Sequence, residues 1–286
     1  MAILRSVPQL QALQERFIAL PYLTFLTLST IIGVYFISVI FPSVTLFFAL
    51  DVNAVLHGGI HRLITYPIVH QNFLHLFFNV IALAPVLSSF EEETGTIGTA
   101  ASLLVFSVLP GIAYVAVSTI VSSHVITLGA SGWVFTFMAY FALKDYALRQ
   151  SIYLSPSLHI PTWTTPIITL FVIALLLPGS SFLGHLFGLL TGYAYGLGYL
   201  NNIKASQQVI LRAESNLSSR NLNKLLPRFI SDDSASKHRV IIDTTVDAGV
   251  PSGGNSPALS PTISRTNSEV HGGRSSFAGQ GHSLGS

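Results

Sequence analysis

Gly184-His185-Leu186-Phe187-Gly188-Leu189-Leu190-Thr191-Gly192 places a histidine at the head of an apolar run long enough to span a bilayer. Two further stretches do the same with other polar groups: His70-Gln71-Asn72-Phe73-Leu74-His75-Leu76-Phe77-Phe78-Asn79 and Gly129-Ala130-Ser131-Gly132. An ionisable residue held in lipid is expensive, so each is a functional candidate by default. A spanning helix needs about 20 mostly apolar residues. Six runs meet that need: Tyr22–Phe41, Phe73–Phe90, Thr99–Val121, Ile126–Leu143, Ile160–Leu177 and Phe182–Leu200. The expected class is an all-α polytopic membrane protein with six transmembrane helices. Pro85 and Pro110 interrupt two of the runs, which membrane helices tolerate when neighbours satisfy the freed backbone groups.

Composition divides the chain. Only 9% of the 286 residues are charged, and mean hydropathy is +0.60, against about 25% charged in a soluble domain. Residues 1–200 read as the membrane domain. Residues 201–230 form a basic juxtamembrane segment. Residues 231–286, rich in Ser, Gly, Thr and Pro, read as a disordered tail. A net charge of +2 gives no reason to expect a nucleic-acid partner. The absence of cysteine removes disulfide, zinc-thiolate and thiol chemistry, and no metal or cofactor is expected. The N-terminus has no small-residue cleavage site before a short apolar core. No cleaved signal peptide or transit peptide is expected, and the first span serves as its own insertion signal.

The basic residues orient the spans. Arg5, Arg16, Lys144, Arg149, Lys204, Arg212, Arg220, Lys224 and Arg228 fall on one side, and Arg62 alone on the other. By the positive-inside rule both termini are cytosolic. The second, fourth and sixth spans then run from lumen to cytosol. At 1.5 Å per residue, His75, Asn79, Ser131 and His185 lie within roughly 10 Å of the luminal entry of their helices. Four polar groups from three helices share one layer.

That layer holds the parts of an acyl-transfer site. A serine hydroxyl needs an adjacent base to act as a nucleophile. Gly129 and Gly132 flank Ser131, and Gly188 and Gly192 follow His185 at i+3 and i+7, so small residues let the two helices approach. The pattern points to a Ser131–His185 dyad. No Asp or Glu lies in the luminal half of any span, so no third acidic member of the kind a soluble triad uses is expected. His75 and Asn79, four apart on one helical face, supply oxyanion donors together with the Ser131 N–H. His70, in the loop beside a candidate N-cap Asn72, is a secondary candidate for holding water or the oxyanion. Taken singly, each residue has a plainer role. A membrane serine usually bonds back to its own helix, a lone histidine is usually a structural hydrogen-bonder, Asn79 alone would be interhelical glue, and small-residue faces pack helices. The joint pattern is what points to catalysis. His57, His61, His124 and His159 read as loop polar groups.

These motifs resemble the rhomboid family of intramembrane serine proteases, over residues from about 20 to 200. The family's His-x4-His-x3-Asn element matches His70, His75 and Asn79. Its Gly-x-Ser-Gly matches Gly129, Ser131 and Gly132, and its His-x2-Gly-x3-Gly matches His185, Gly188 and Gly192. Arg62 stands where the first-loop Trp-Arg places its arginine, and Glu91 and Gly95 match a Glu-x3-Gly at the end of the second helix. Two positions depart: His61 replaces the loop tryptophan, and Phe135 stands where some members carry Tyr, with its ring available to stack on His185. The resemblance implies a six-transmembrane-helix rhomboid bundle with a luminal water-filled cavity. It also implies cleavage of single-pass membrane proteins where the helix unwinds easily, with a lateral entrance near the second and fifth spans.

Beyond the spans, Ile203 to Ile230 mixes basic residues with leucines and isoleucines. It reads either as a helix lying on the anionic cytosolic leaflet or as a solvated linker. Ser256-Pro257, Ser260-Pro261 and Ser268 are candidate phosphosites. Phe277, Gly279, Gly281 and Leu284 resemble the SHP box, a Phe-x-Gly-x-Gly-x2-Leu motif that binds the valosin-containing-protein class of AAA segregase. A fungal Golgi subgroup of the rhomboids combines six spans with such a tail and is associated with cleaving precursors of sterol-regulatory transcription factors. Two other readings compete. A Derlin-type adaptor also recruits the segregase but lacks the Ser/His pair. A transporter would need ionisable groups through the whole membrane, and the cytosolic halves of the second, fourth and sixth spans have none.

Overall fold

Glu91, a carboxylate with no exposed surface at the end of the second long helix, explains how the bundle is tied together. The computed structural model describes residues 20–122, 125–155, 157–220, 226 and 228–236. In it α1 (Tyr22–Ile40) starts after Pro21 without a side-chain cap of its own. The first backbone N–H groups of a helix have no partner within it. Glu91 supplies two: it accepts from Leu23 N at 2.9 Å and Thr24 N at 2.7 Å. It also accepts from the hydroxyls of Thr24 and Thr96, both at 2.8 Å. One acidic side chain thereby joins three helix ends.

A folded first loop follows α1, with short helices α2 (Ser43–Phe48), α3 (Val52–Leu56) and α4 (Arg62–Thr65) and a 3-10 turn, Tyr66–Ile68. The second long helix, α5 (Phe73–Thr94), begins at Asn72, whose side chain accepts from His75 N at 2.9 Å, as its sequence position predicts. Gly95, at φ +75°, is the corner between α5 and α6 (Thr96–Ile120). Then come α7 (Ser131–Leu148), a hairpin of β1 (Ser151–Ser155) and β2 (Leu158–Pro161), α8 (Thr165–Leu176), α9 (Phe182–Gly196) and α10 (Gln207–Ser219). Pro85 and Pro110 lie inside α5 and α6 without ending them.

Several expected boundaries move. The fourth helix begins at Ser131, not Ile126, because Leu50 and Thr127 exchange two backbone hydrogen bonds and Gly129 adopts φ +108°. The fifth begins at Thr165, not Ile160, because Ile160 pairs with Ile152 in the hairpin, the one departure from helix among the named elements. The sixth stops at Gly196, where Gly198 turns at φ +83°. Of the six main helices, α1, α5 and α6 are long and apolar enough to cross a membrane by length and composition alone. Exposed Phe36, Ile40, Phe73, Phe78, Ile81 and Leu175 give the outer faces the character of a lipid-facing surface.

The core is aromatic. Phe90 lies 5.0 Å from Phe137 and 5.8 Å from Phe106 and Tyr195, ring centre to ring centre. These rings join α5, α6, α7 and α9, with Leu28 and Ile31 of α1 in the same cluster.

The segment after α9 holds a helix: α10 packs against α6, with buried Ile210 facing Gly98. Residues 228–236 cross the same end of the bundle. Arg228 O accepts from Tyr22 N at 3.2 Å, and Ile230 exchanges two bonds with Thr96. Residues 232–236 are helical, and Asp232 and Ala235 are buried. The candidate phosphosites and the Phe277–Leu284 box lie outside the described residues.

Candidate active site

Ser131 is the first residue of α7 and His185 lies in the first turn of α9. Ser181 caps α9, its hydroxyl accepting from Gly184 N at 3.2 Å. His185 Nε2 stands 2.8 Å from Ser131 Oγ, within hydrogen-bond reach. The cause of that distance is directly below. A Cβ on Gly188 would sit 2.3 Å from the Gly132 carbonyl oxygen, and one on Gly192 would sit 2.1 Å from the Thr136 carbonyl oxygen. The two helices therefore touch backbone to backbone, as small residues at a membrane interface permit. Thr136 Oγ1 lies 2.9 Å from both Gly132 O and Gly188 O and stitches the contact.

His185 is 5% exposed, and its ring stacks on Phe135 at 4.7 Å with 28° between planes. Phe135 thus holds the imidazole as its sequence position suggests. Among the described residues no carboxylate hydrogen-bonds His185.

The oxyanion candidates lie alongside. Gly129 has φ +108°, and a Cβ there would meet the His75 ring at 2.6 Å, so only glycine fits. His75 is thereby pressed against the turn that leads into Ser131. Asn79 is buried and donates one amide N–H to His75 O at 2.7 Å; its second N–H remains for another acceptor. His70, 2% exposed, accepts from Ala130 N at 3.3 Å through Nε2. Through that bond it braces the backbone beside Ser131. Its ring lies 5.1 Å from that of His75.

The remaining sequence candidates are structural. Arg62 donates to Leu46 O and Ala49 O, both at 2.6 Å, and folds the first loop. His61 stacks on Phe47 at 4.6 Å, so the replaced loop tryptophan position is used inside the loop. His57 bonds Asn53 O, and His159 packs beside Tyr153; His124 lies outside the described residues. Sequence reading missed Thr136 and Gly196, the latter of which meets Leu143. The Gly-x3-Gly-x3-Gly spacing was a signal for Gly196; nothing in the sequence marked Thr136.

Ser131 and His185 are thus paired across two tightly packed apolar helices. Residues 57–202 match the family model for the Rhomboid domain. The chain is 36% identical over 211 residues to rhomboid-type serine protease 2 of Gibberella zeae, covering 72% of this chain and 76% of that one. It is 33% identical over 265 residues to rhomboid-type serine protease B of Aspergillus fumigatus, covering 90% and 95%. It is 38% identical over 167 residues to rhomboid-type serine protease 2 of Yarrowia lipolytica, a match that covers 58% of this chain and 56% of that protein's length. The chain belongs to the rhomboid family. It is a multi-pass membrane protein and a serine protease of the kind that works within membranes.

Proposed function

We propose that the chain is an intramembrane endopeptidase working through a Ser131–His185 dyad. The observation that supports this most is the 2.8 Å approach of His185 Nε2 to Ser131 Oγ. His185 takes the hydroxyl proton as Ser131 Oγ attacks the scissile carbonyl. The Ser131 N–H, His75 and Asn79 receive the oxyanion. His185 then passes the proton to the departing amine, and water resolves the acyl-enzyme by the same route. Phe135 takes the orienting part that a carboxylate plays in a soluble triad. Substrates are single-pass membrane proteins, entering near the second and fifth spans, with precursors of sterol-regulatory transcription factors among them. Both termini are cytosolic, a reading supported by the basic residues that flank the expected spans, and the membrane is that of the Golgi or endoplasmic reticulum. The Phe277–Leu284 box recruits the AAA segregase to extract substrate or product.

The test compares membrane-protein fragments released by the wild type, Ser131→Ala and His185→Ala. Both variants should accumulate in membranes and release none. Normal cleavage by either would sink the dyad. Retention of a bound but uncut substrate by the wild type as well would favour the adaptor reading.

A further inference from the structure

The nucleophile residue is enclosed by a ring of hydrogen bonds that the catalytic step does not use. On its N-terminal side, Gly129 N donates to Tyr66 O at 2.9 Å. On its C-terminal side, Trp133 Nε1 donates to Ser107 Oγ at 3.0 Å. Tyr66 closes the ring, its hydroxyl reaching Ser107 O at 3.4 Å. The circuit runs from Gly129 through Tyr66, Ser107 and Trp133 back along the chain to Ser131. It joins the first loop, the middle of α6 and the first turn of α7.

All three side chains are buried: Ser107 is 1%, Trp133 5% and Tyr66 6% exposed. The Ser107 hydroxyl both donates and accepts, giving its proton to Leu103 O at 2.7 Å while accepting from Trp133. Tyr66 and Trp133 belong to two different core clusters, so the bonds at Ser107 are where those clusters meet. The need for such a brace is local. The α7 N-cap is Ala130, which has no side chain able to cap, so the free N–H groups of the first turn gain no cap from their own helix end. His185 can hold its distance to Ser131 only if that turn stays put. A small misplacement of reacting groups costs rate steeply.

We infer that Ser107, Trp133 and Tyr66 are positioning residues for Ser131, acting through the first turn of α7 and touching neither substrate nor oxyanion. This rests on Ser131 being the nucleophile. Because Ser107 and Trp133 share one bond, their effects must overlap.

The test uses the full chain in detergent with a model single-pass substrate. The fraction of Ser131 able to react is titrated with a fluorophosphonate, and kcat is expressed per reactive serine. Ser107→Ala and Trp133→Phe should each lower kcat about tenfold with KM within twofold. The double variant should be no slower than the worse single one. Independent losses that multiply, a change confined to KM, or wild-type kcat per reactive serine would each overturn the brace. If Ser107→Ala accumulates poorly, Trp133→Phe, which keeps an aromatic ring and drops only the donor-bearing part, carries the same kcat prediction. Ser131→Ala run in parallel separates the two levels: cleavage there would overturn the dyad, whereas a dead Ser131→Ala beside a normal Ser107→Ala would overturn the brace alone.

Discussion

Phe135 and Gly192 divide the labour at the residue scale, one holding the His185 ring and the other bringing its helix close. Phe135 lies flat against His185, so removing the ring frees the imidazole to leave its productive direction. Phe135→Ala should lower kcat about tenfold with little change in KM, while Phe135→Tyr, which keeps the stack, should stay within about threefold. Steady-state cleavage of one substrate by both variants decides this. Gly192 acts through distance. Its missing Cβ leaves room for the Thr136 carbonyl, a backbone atom that cannot swing aside. Gly192→Ala should cost about 1–3 kcal/mol, seen as a lower Tm in detergent, and should abolish activity through separation of α7 from α9. Gly33, where a Cβ would meet nothing within 4 Å, is the control: Gly33→Ala should leave both Tm and activity unchanged.

Among the elements, α1 shows how a helix can be capped from elsewhere. Among the described residues, Leu23 N and Thr24 N have no acceptor but Glu91, 68 and 67 residues away. Glu91→Ala would leave the buried Thr24 N–H without a partner at about 1–3 kcal/mol, and the half-buried Leu23 N–H at less. It should lower Tm well beyond what Glu92→Ala does, since Glu92 is exposed; a matching Tm for the two variants would refute the cap. The contrast explains what the sequence made legible. Ser131, His185, Gly188 and Gly192 could be read because polar or small residues stand out against an apolar run of known period. The fit of Glu91 into a family motif was visible, but its partners were not, because hydrogen bonds over such separations leave no local pattern. Ile126 and Ile160 were read into helices for a related reason. Apolar composition marks depth well, but it does not distinguish a helix from a segment held extended by a distant strand or loop. Tyr66 and Ser107 were invisible for the same cause, since each looks like ordinary filler until the first loop folds over α6.

On the scale of the whole molecule, the chain does not leave the fold where its spans end. Arg228 O satisfies Tyr22 N, the remaining cap position of α1 beside those that Glu91 serves, and the Arg228 guanidinium bonds Leu20 O at 3.1 Å. Thr96 N donates to Ile230 O, Asp232 N donates to a Glu214 oxygen at 2.8 Å, and Gln207 donates to Asp232. The strap therefore closes over the start of α1, the Gly95 corner and α10 together. A chain ending after Ser236 should match the full chain in Tm and in cleavage of a simple substrate. One ending after Arg220 should lose several degrees, because Tyr22 N and Thr96 N lose their acceptors. Equal Tm for the two truncations would show that the strap contributes nothing. The strap should also respond to pH. Burial, and then the neighbouring Asp232 and Asp233, raise the Glu214 carboxyl above the ordinary carboxylate range, with the bond from Asp232 N opposing them. A raised pKa means that the folded state favours the neutral acid. Its contribution is fully present below the ordinary glutamate pKa and is lost as pH rises through the elevated one. Proteolysis between α10 and Ser236 should accordingly quicken from mildly acidic to neutral pH in the wild type. Glu214→Gln, held neutral throughout, should flatten that dependence, and a variant that kept the wild-type slope would place the titrating group elsewhere.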